Sequence, residues 1–122
     1  MRILVIEDTP ADFMLLERHL RKHGVEAECL CVSSDGELDA ALQQPWDVVL
    51  SDYNVPGMHF RDTLQRIREF CPDLPVILVS GRVGEETAVE LLRLGRISIT
   101  QDEAYGEILL HPAKRRKQEH GD

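Results

Sequence analysis

Three short apolar runs, each breaking off at an acidic or hydroxyl residue, most narrow what this chain can become. Ile3-Leu4-Val5-Ile6 ends in Glu7-Asp8, Val48-Val49-Leu50 ends in Ser51-Asp52, and Pro75 to Val79 ends in Ser80. An unbroken apolar run of this length suits a strand covered on both faces, not one with a wet side. Between the runs the period changes. Thr9 can cap a helix, Pro10 suits its first position, and Asp12 favours the positive end of its dipole. Phe13, Leu16 and Leu20 then recur at helical spacing until Gly24. Alternation over Glu26 to Val32 predicts a further strand, and Ser34-Asp35-Gly36-Glu37 is a capping box ahead of Leu38, Ala41 and Leu42. Asn54-Val55-Pro56-Gly57 is a tight turn, followed by a helix with Phe60, Leu64 and Ile67 inward. Gly81-Arg82-Val83-Gly84 is a loop, and a helix carrying Ala88, Leu91 and Leu92 runs from Glu85-Glu86 to Gly95. Strand and helix alternate with connections of a few residues. That rhythm implies parallel pairing with right-handed crossovers, a three-layer α/β domain.

The last quarter is weaker. Arg96 to Thr100 is at best a short alternating strand, and a helix over Glu103 to Leu110 meets Pro112. Residues 111–122, with Lys114-Arg115-Arg116-Lys117, carry no apolar stripe and are expected to be a polar helix end or frayed tail beyond a domain of residues 1–110. The 122 residues suit one domain with one core. With 22 acidic against 14 basic residues and a net charge of −8, the chain is not expected to bind nucleic acid directly, and the basic run reads as a solvated face. No apolar stretch reaches membrane-spanning length, so a cytoplasmic protein with no membrane contact is expected. Cys29, Cys31 and Cys71 lack metal spacing and read as small buried residues, Cys29 and Cys31 sharing one strand face. Of five histidines, only His19 and His23 stand four apart, beside Arg21 and Lys22, which reads as exposed surface rather than a ligand pair.

In an open parallel sheet, ligands bind outside the carboxyl ends of the strands. Glu7, Asp8, Asp52 and Ser80 would therefore converge on one edge. Crowded carboxylates raise one another's pKa unless a cation lies between them, and a hard, oxygen-seeking ion such as Mg²⁺ answers that need. A rigidly held carboxylate can attack phosphorus to give an acyl phosphate. Asp52, between an apolar strand and a Pro-Gly turn, is the candidate, with Ser80 placed to bond a phosphoryl oxygen.

The segments ILVIEDTP, DVVLSDYNVPGM, LPVILVSG and GEETAVELLRLG, in this order and spacing, resemble the response-regulator receiver domain of bacterial two-component signalling. The resemblance covers roughly residues 1–110. It implies a doubly wound, flavodoxin-like sheet of five parallel strands in order 2-1-3-4-5, flanked by five helices. It also implies that Asp52 is the phosphoacceptor, that Glu7 and Asp8 hold Mg²⁺ with Asp52 and the backbone carbonyl of Asn54, and that Ser80 turns toward the phosphoryl group. Asn54 and Arg82 match positions that tune phosphoryl lifetime. The donor would be a sensor histidine kinase or a phosphotransfer protein.

The same resemblance exposes departures. Receiver domains carry a lysine at the end of the fifth strand; depending on a one-residue deletion, Gln101 or Asp102 stands there. Gln101 keeps a donor and loses the charge. The switch aromatic of that strand is replaced by Ser98 or Ile99, and no proline follows. The expectation is a phosphoacceptor domain in a phosphorelay, not an enzyme beyond self-catalysed phosphotransfer and dephosphorylation, with an altered output switch, acting through a protein partner or a second copy of itself. The alternative is a pseudo-receiver that serves as a constitutive interaction module without phosphorylation. Haloacid-dehalogenase-type phosphatases place a second Asp two residues after the nucleophile, where this chain has Asn54.

Overall fold

The computed structural model describes residues 1–79 and the backbone of the strand Ile97–Thr100. The expected loop at 81–84, the helix from 85 to 95, the tail beyond 100, and Ser80, Arg82 and Gln101 lie outside the described residues.

Five parallel strands form the sheet: β1 (Arg2–Ile6), β2 (Glu28–Val32), β3 (Val48–Asp52), β6 (Val76–Val79) and β7 (Ile97–Thr100). Their spatial order is β2-β1-β3-β6-β7, the 2-1-3-4-5 arrangement with the strands counted along the chain. The reason for the unbroken apolar runs is visible in the packing. Alternate residues of a strand point to opposite faces, and here both faces are covered. Ile3, Val5, Val48, Leu50 and Ile77 pack with Leu20, Phe13 and Leu16 of α1 (Pro10–Lys22). Leu4, Ile6, Val49, Val76 and Leu78 pack on the other side with Leu38 and Ala41 of α2 (Asp35–Ala41) and Leu64 and Ile67 of α3 (Phe60–Phe70). Every residue from Ile3 to Ile6 is at most 1% exposed.

The helix ends follow the sequence with three departures. Thr9 has the extended backbone of a cap, yet its side chain makes no capping bond. Ser34 does accept from the Glu37 N–H at 3.2 Å, but Glu37 reaches back to the Ser33 N–H at 3.1 Å, one residue earlier than the capping box predicts. The helix end at Gly24 is as expected. Its φ of 77° is left-handed, and the Val25 N–H donates to the Leu20 carbonyl at 2.9 Å, which closes α1. The third departure is the turn after Asp52. Instead of a plain turn there is a small antiparallel hairpin, β4 (Asn54–Val55) with β5 (Met58–His59), folded about Pro56-Gly57. Gly57 has φ 81°, so Pro-Gly occupies the two central positions that a type II turn requires.

The cysteines correct an expectation: Cys29, Cys31 and Cys71 are free and half-buried rather than buried. Cys29 and Cys31 lie on the edge strand β2, where only β1 pairs with them. His19 and His23 are likewise half-buried, not exposed. At the amino edge of the sheet, Arg2 lies over the Trp46 ring at 4.4 Å and bonds the Pro45 carbonyl and Gln44. Among the described residues, no helix is long and apolar enough to cross a membrane.

Candidate metal centre

Register brings the acidic residues together. Ile6 of β1 lies opposite Ser51 of β3, so Glu7 and Asp52, one residue further on, leave the sheet side by side. Asp8 follows Glu7 into the loop before α1. One carboxylate oxygen from each of Glu7, Asp8 and Asp52 lies within 4.8 Å of the others. Asp52 is also opposite Val79, which is opposite Thr100. The residues that follow Val79 and Thr100 in sequence, Ser80 and Gln101, lie outside the described residues.

Backbone amides hold the carboxylates in place. Glu7 Oε1 accepts from the Asp8 N–H at 3.0 Å and from the Thr9 N–H at 3.1 Å. The Thr9 amide thus orients a carboxylate at the start of α1, a better use of a helix-start donor than solvent. The backbone N–H groups of Asn54 and Tyr53 bond Asp52 and favour its charged form. Asn54 itself is exposed. Ser51, buried beneath, donates to the Asp52 carbonyl at 2.9 Å. The Cys31 thiol donates to the Glu7 carbonyl at 3.2 Å. These contacts with Tyr53, Thr9, Ser51 and Cys31 are absent from the sequence reading. Only Ser51 carried a signal, as a hydroxyl inside an apolar run.

The charge balance is strained. Burial pushes the Glu7 carboxyl up to about 7, with Asp52, Asp8 and Asp12 adding to the rise and the Thr9 amide opposing it. Burial also raises Asp52, reinforced by Asp8 and Asp12 and opposed by the Asn54 and Tyr53 amides. Asp12, in the first turn of α1, is a fourth carboxylate acting on both. Three hard oxygen donors within reach of one point, two of them resisting ionisation, fit a hard divalent cation. The residues therefore suit Mg²⁺.

A doubly wound parallel sheet with an acidic cluster at its carboxyl edge and a carboxylate ending the third strand defines a receiver-type signalling domain. The family model for the response regulator receiver domain matches residues 3–100, and the chain belongs to that family. The transcriptional regulatory protein QseB of Escherichia coli O157:H7 is 36% identical over 95 residues, covering 78% of this chain and 43% of that protein. The C4-dicarboxylate transport transcriptional regulatory protein DctD of Pseudomonas aeruginosa is 30% identical over 115 residues, covering 93% of this chain and 24% of that protein. The chain thus spans less than half the length of these relatives. Two solved structures share the fold. A CheY-like receiver domain protein from Methanospirillum hungatei JF-1 has a TM-score of 0.73 at 24% identity, covering 99% of this chain and 98% of the other. The receiver domain of a sensor histidine kinase from Pseudomonas aeruginosa PAO1, with magnesium coordinated in its active site cleft, has a TM-score of 0.72 at 21% identity, covering 91% and 94%.

Proposed function

We propose that this receiver domain, over residues 1–110, accepts a phosphoryl group on Asp52 from a phosphohistidine of a sensor histidine kinase or phosphotransfer protein. The observation that carries this reading is the meeting of the Glu7, Asp8 and Asp52 carboxylates within 4.8 Å at the carboxyl edge of the sheet. Glu7, Asp8, Asp52 and the backbone carbonyl of Asn54 would hold Mg²⁺, whose charge would neutralise the phosphoryl oxygens.

An Asp52 carboxylate oxygen attacks phosphorus, the P–N bond to the donor imidazole breaks, and the imidazole nitrogen keeps the electron pair and takes up a proton. The Tyr53 and Asn54 amides orient the attacking carboxylate and favour its charged form against the effect of burial. Ser80 would donate to a phosphoryl oxygen, and Asn54 and Arg82 would set access of water to the acyl phosphate. The Val79–Thr100 register supports Gln101 over Asp102 as the residue at the family's lysine position. A neutral amide there cannot make the ion pair that normally couples the phosphoryl group to the fifth strand, so the output switch is altered. The domain works in the cytoplasm through a protein partner, and residues 111–122 lie outside the domain.

Beryllofluoride with Mg²⁺ tests the assignment as a phosphoryl mimic. The wild-type chain binds both together, and Asp52→Asn loses mimic binding while remaining folded. Unchanged binding in Asp52→Asn contradicts the assignment.

A further inference from the structure

We propose that His19 and His23 form a second metal site, separate from the acidic cluster, for a divalent cation of the imidazole-preferring transition class, such as Ni²⁺ or Zn²⁺. This site does not depend on phosphoacceptor chemistry. His19 lies in the last turn of α1 and His23 is its C-cap residue. Residues four apart lie on one helix face. Here the two rings have centroids 4.2 Å apart, tilted by 51°.

The ring of His23 is held through Nδ1. Its Nδ1 lies 3.1 Å from the His19 carbonyl oxygen. A carbonyl can only accept, so Nδ1–H donates, and in the neutral ring Nε2 is then the nitrogen with the lone pair. An imidazole that donates one N–H to a backbone carbonyl while its other nitrogen is left for an ion is the usual support for a metal-binding histidine. The same rule makes a hydrogen-bonded partner for one nitrogen of His19 compatible with ligation by the other.

Electrostatics at this end of the helix also favour a cation. The closing carbonyls of α1 carry the negative end of the dipole. Arg18, Arg21 and Lys22 oppose it, but all three are exposed and screened by solvent and salt. Among the described residues, no third His, Cys, Asp or Glu completes a cluster here, so water would fill the remaining positions. Two imidazoles select borderline metals and leave Mg²⁺, an oxygen-seeking ion, to the acidic cluster. At a rise of about 1.5 Å per residue, His19 lies roughly 13 Å along the axis from Pro10, too far to share ligands with Glu7 and Asp8.

Paramagnetic Ni²⁺, titrated at pH 7.5 into the full, reduced, ¹⁵N-labelled chain with MgCl₂ in excess, tests this directly. The expected result is saturable broadening, complete near one equivalent, centred on the amides of His19 to Gly24. His19→Gln and His23→Gln each abolish it. Broadening centred on Cys29–Cys31 or on Glu7–Asp8 overturns the proposal, as does saturable broadening that persists in both variants or is absent from wild type. Should either variant fail to fold, the wild-type broadening map alone decides.

Discussion

At Glu7, burial and three neighbouring carboxylates work against ionisation while two backbone amides work for it. The proton balance of this one residue makes a pH prediction whose sign can be worked out. The folded pKa, about 7, lies above the ordinary 4.5, so the folded chain binds more protons than the unfolded chain between those values. Without metal, stability therefore falls as pH rises from about 4.5 to about 7 and levels off above. Asp52, also raised, acts in the same direction. Glu37 is lowered by its bonds to Ser33 and Ser34, so its contribution is lost only below its ordinary 4.5 and does not enter this window. Thermal melts in EDTA are expected to give a higher Tm at pH 5.5 than at pH 8, with the difference reduced in Glu7→Gln. Saturating MgCl₂ is expected to restore the Tm at pH 8, because the ion binds the ionised form. A Tm in EDTA that rises from pH 5.5 to pH 8 would contradict the assigned environment of Glu7.

Among the elements, the hairpin β4–β5 and the helix α3 follow directly after Asp52 in the chain. Gly57 turns the hairpin with φ 81°, and a Cβ added there meets nothing within 4 Å. Gly57→Ala therefore tests backbone strain alone and is expected to cost about 1 kcal/mol in urea unfolding. A neutral or stabilising effect would mean that the turn relaxes to negative φ. Helix α3 is held differently. Leu64 is fully buried between the helix and the sheet, whereas Arg66 bonds Asp39 of α2 through both carboxylate oxygens, at 3.0 and 2.8 Å, on a partly exposed flank. Leu64→Ala is expected to lose roughly 2–5 kcal/mol by cavity formation. A loss under about 1 kcal/mol would show that α3 is not packed as described.

Over the whole molecule, what could be read from sequence was set by period and by topology. β1, β3 and β6 were legible because unbroken apolar runs have one cheap destination, a sheet covered on both faces. Parallel strands all end at the same edge, so Glu7, Asp8 and Asp52 could be grouped before any distance was known. The hairpin was not legible, because strands of two residues carry no periodicity. Thr9 has the extended backbone of a cap without the capping bond, and its contact with the site is instead through its amide, which residue type does not reveal. Cys29 and Cys31 are half-buried because β2 lies at an edge, whereas alternation along β2 shows only which face a residue takes. The amides of Tyr53 and Asn54 were beyond reach, since the local path of the chain after Asp52 decides where they point. As proposed, this molecule is a working phosphoacceptor even with Gln101 assigned to the family's lysine position. Intact-mass analysis after incubation with acetyl phosphate and MgCl₂ tests it most directly. The account predicts the addition of one phosphoryl group, labile to hydroxylamine and absent both in Asp52→Asn and without Mg²⁺. A wild-type mass that stays unmodified under conditions that label a lysine-bearing receiver domain would contradict it and leave the constitutive interaction module.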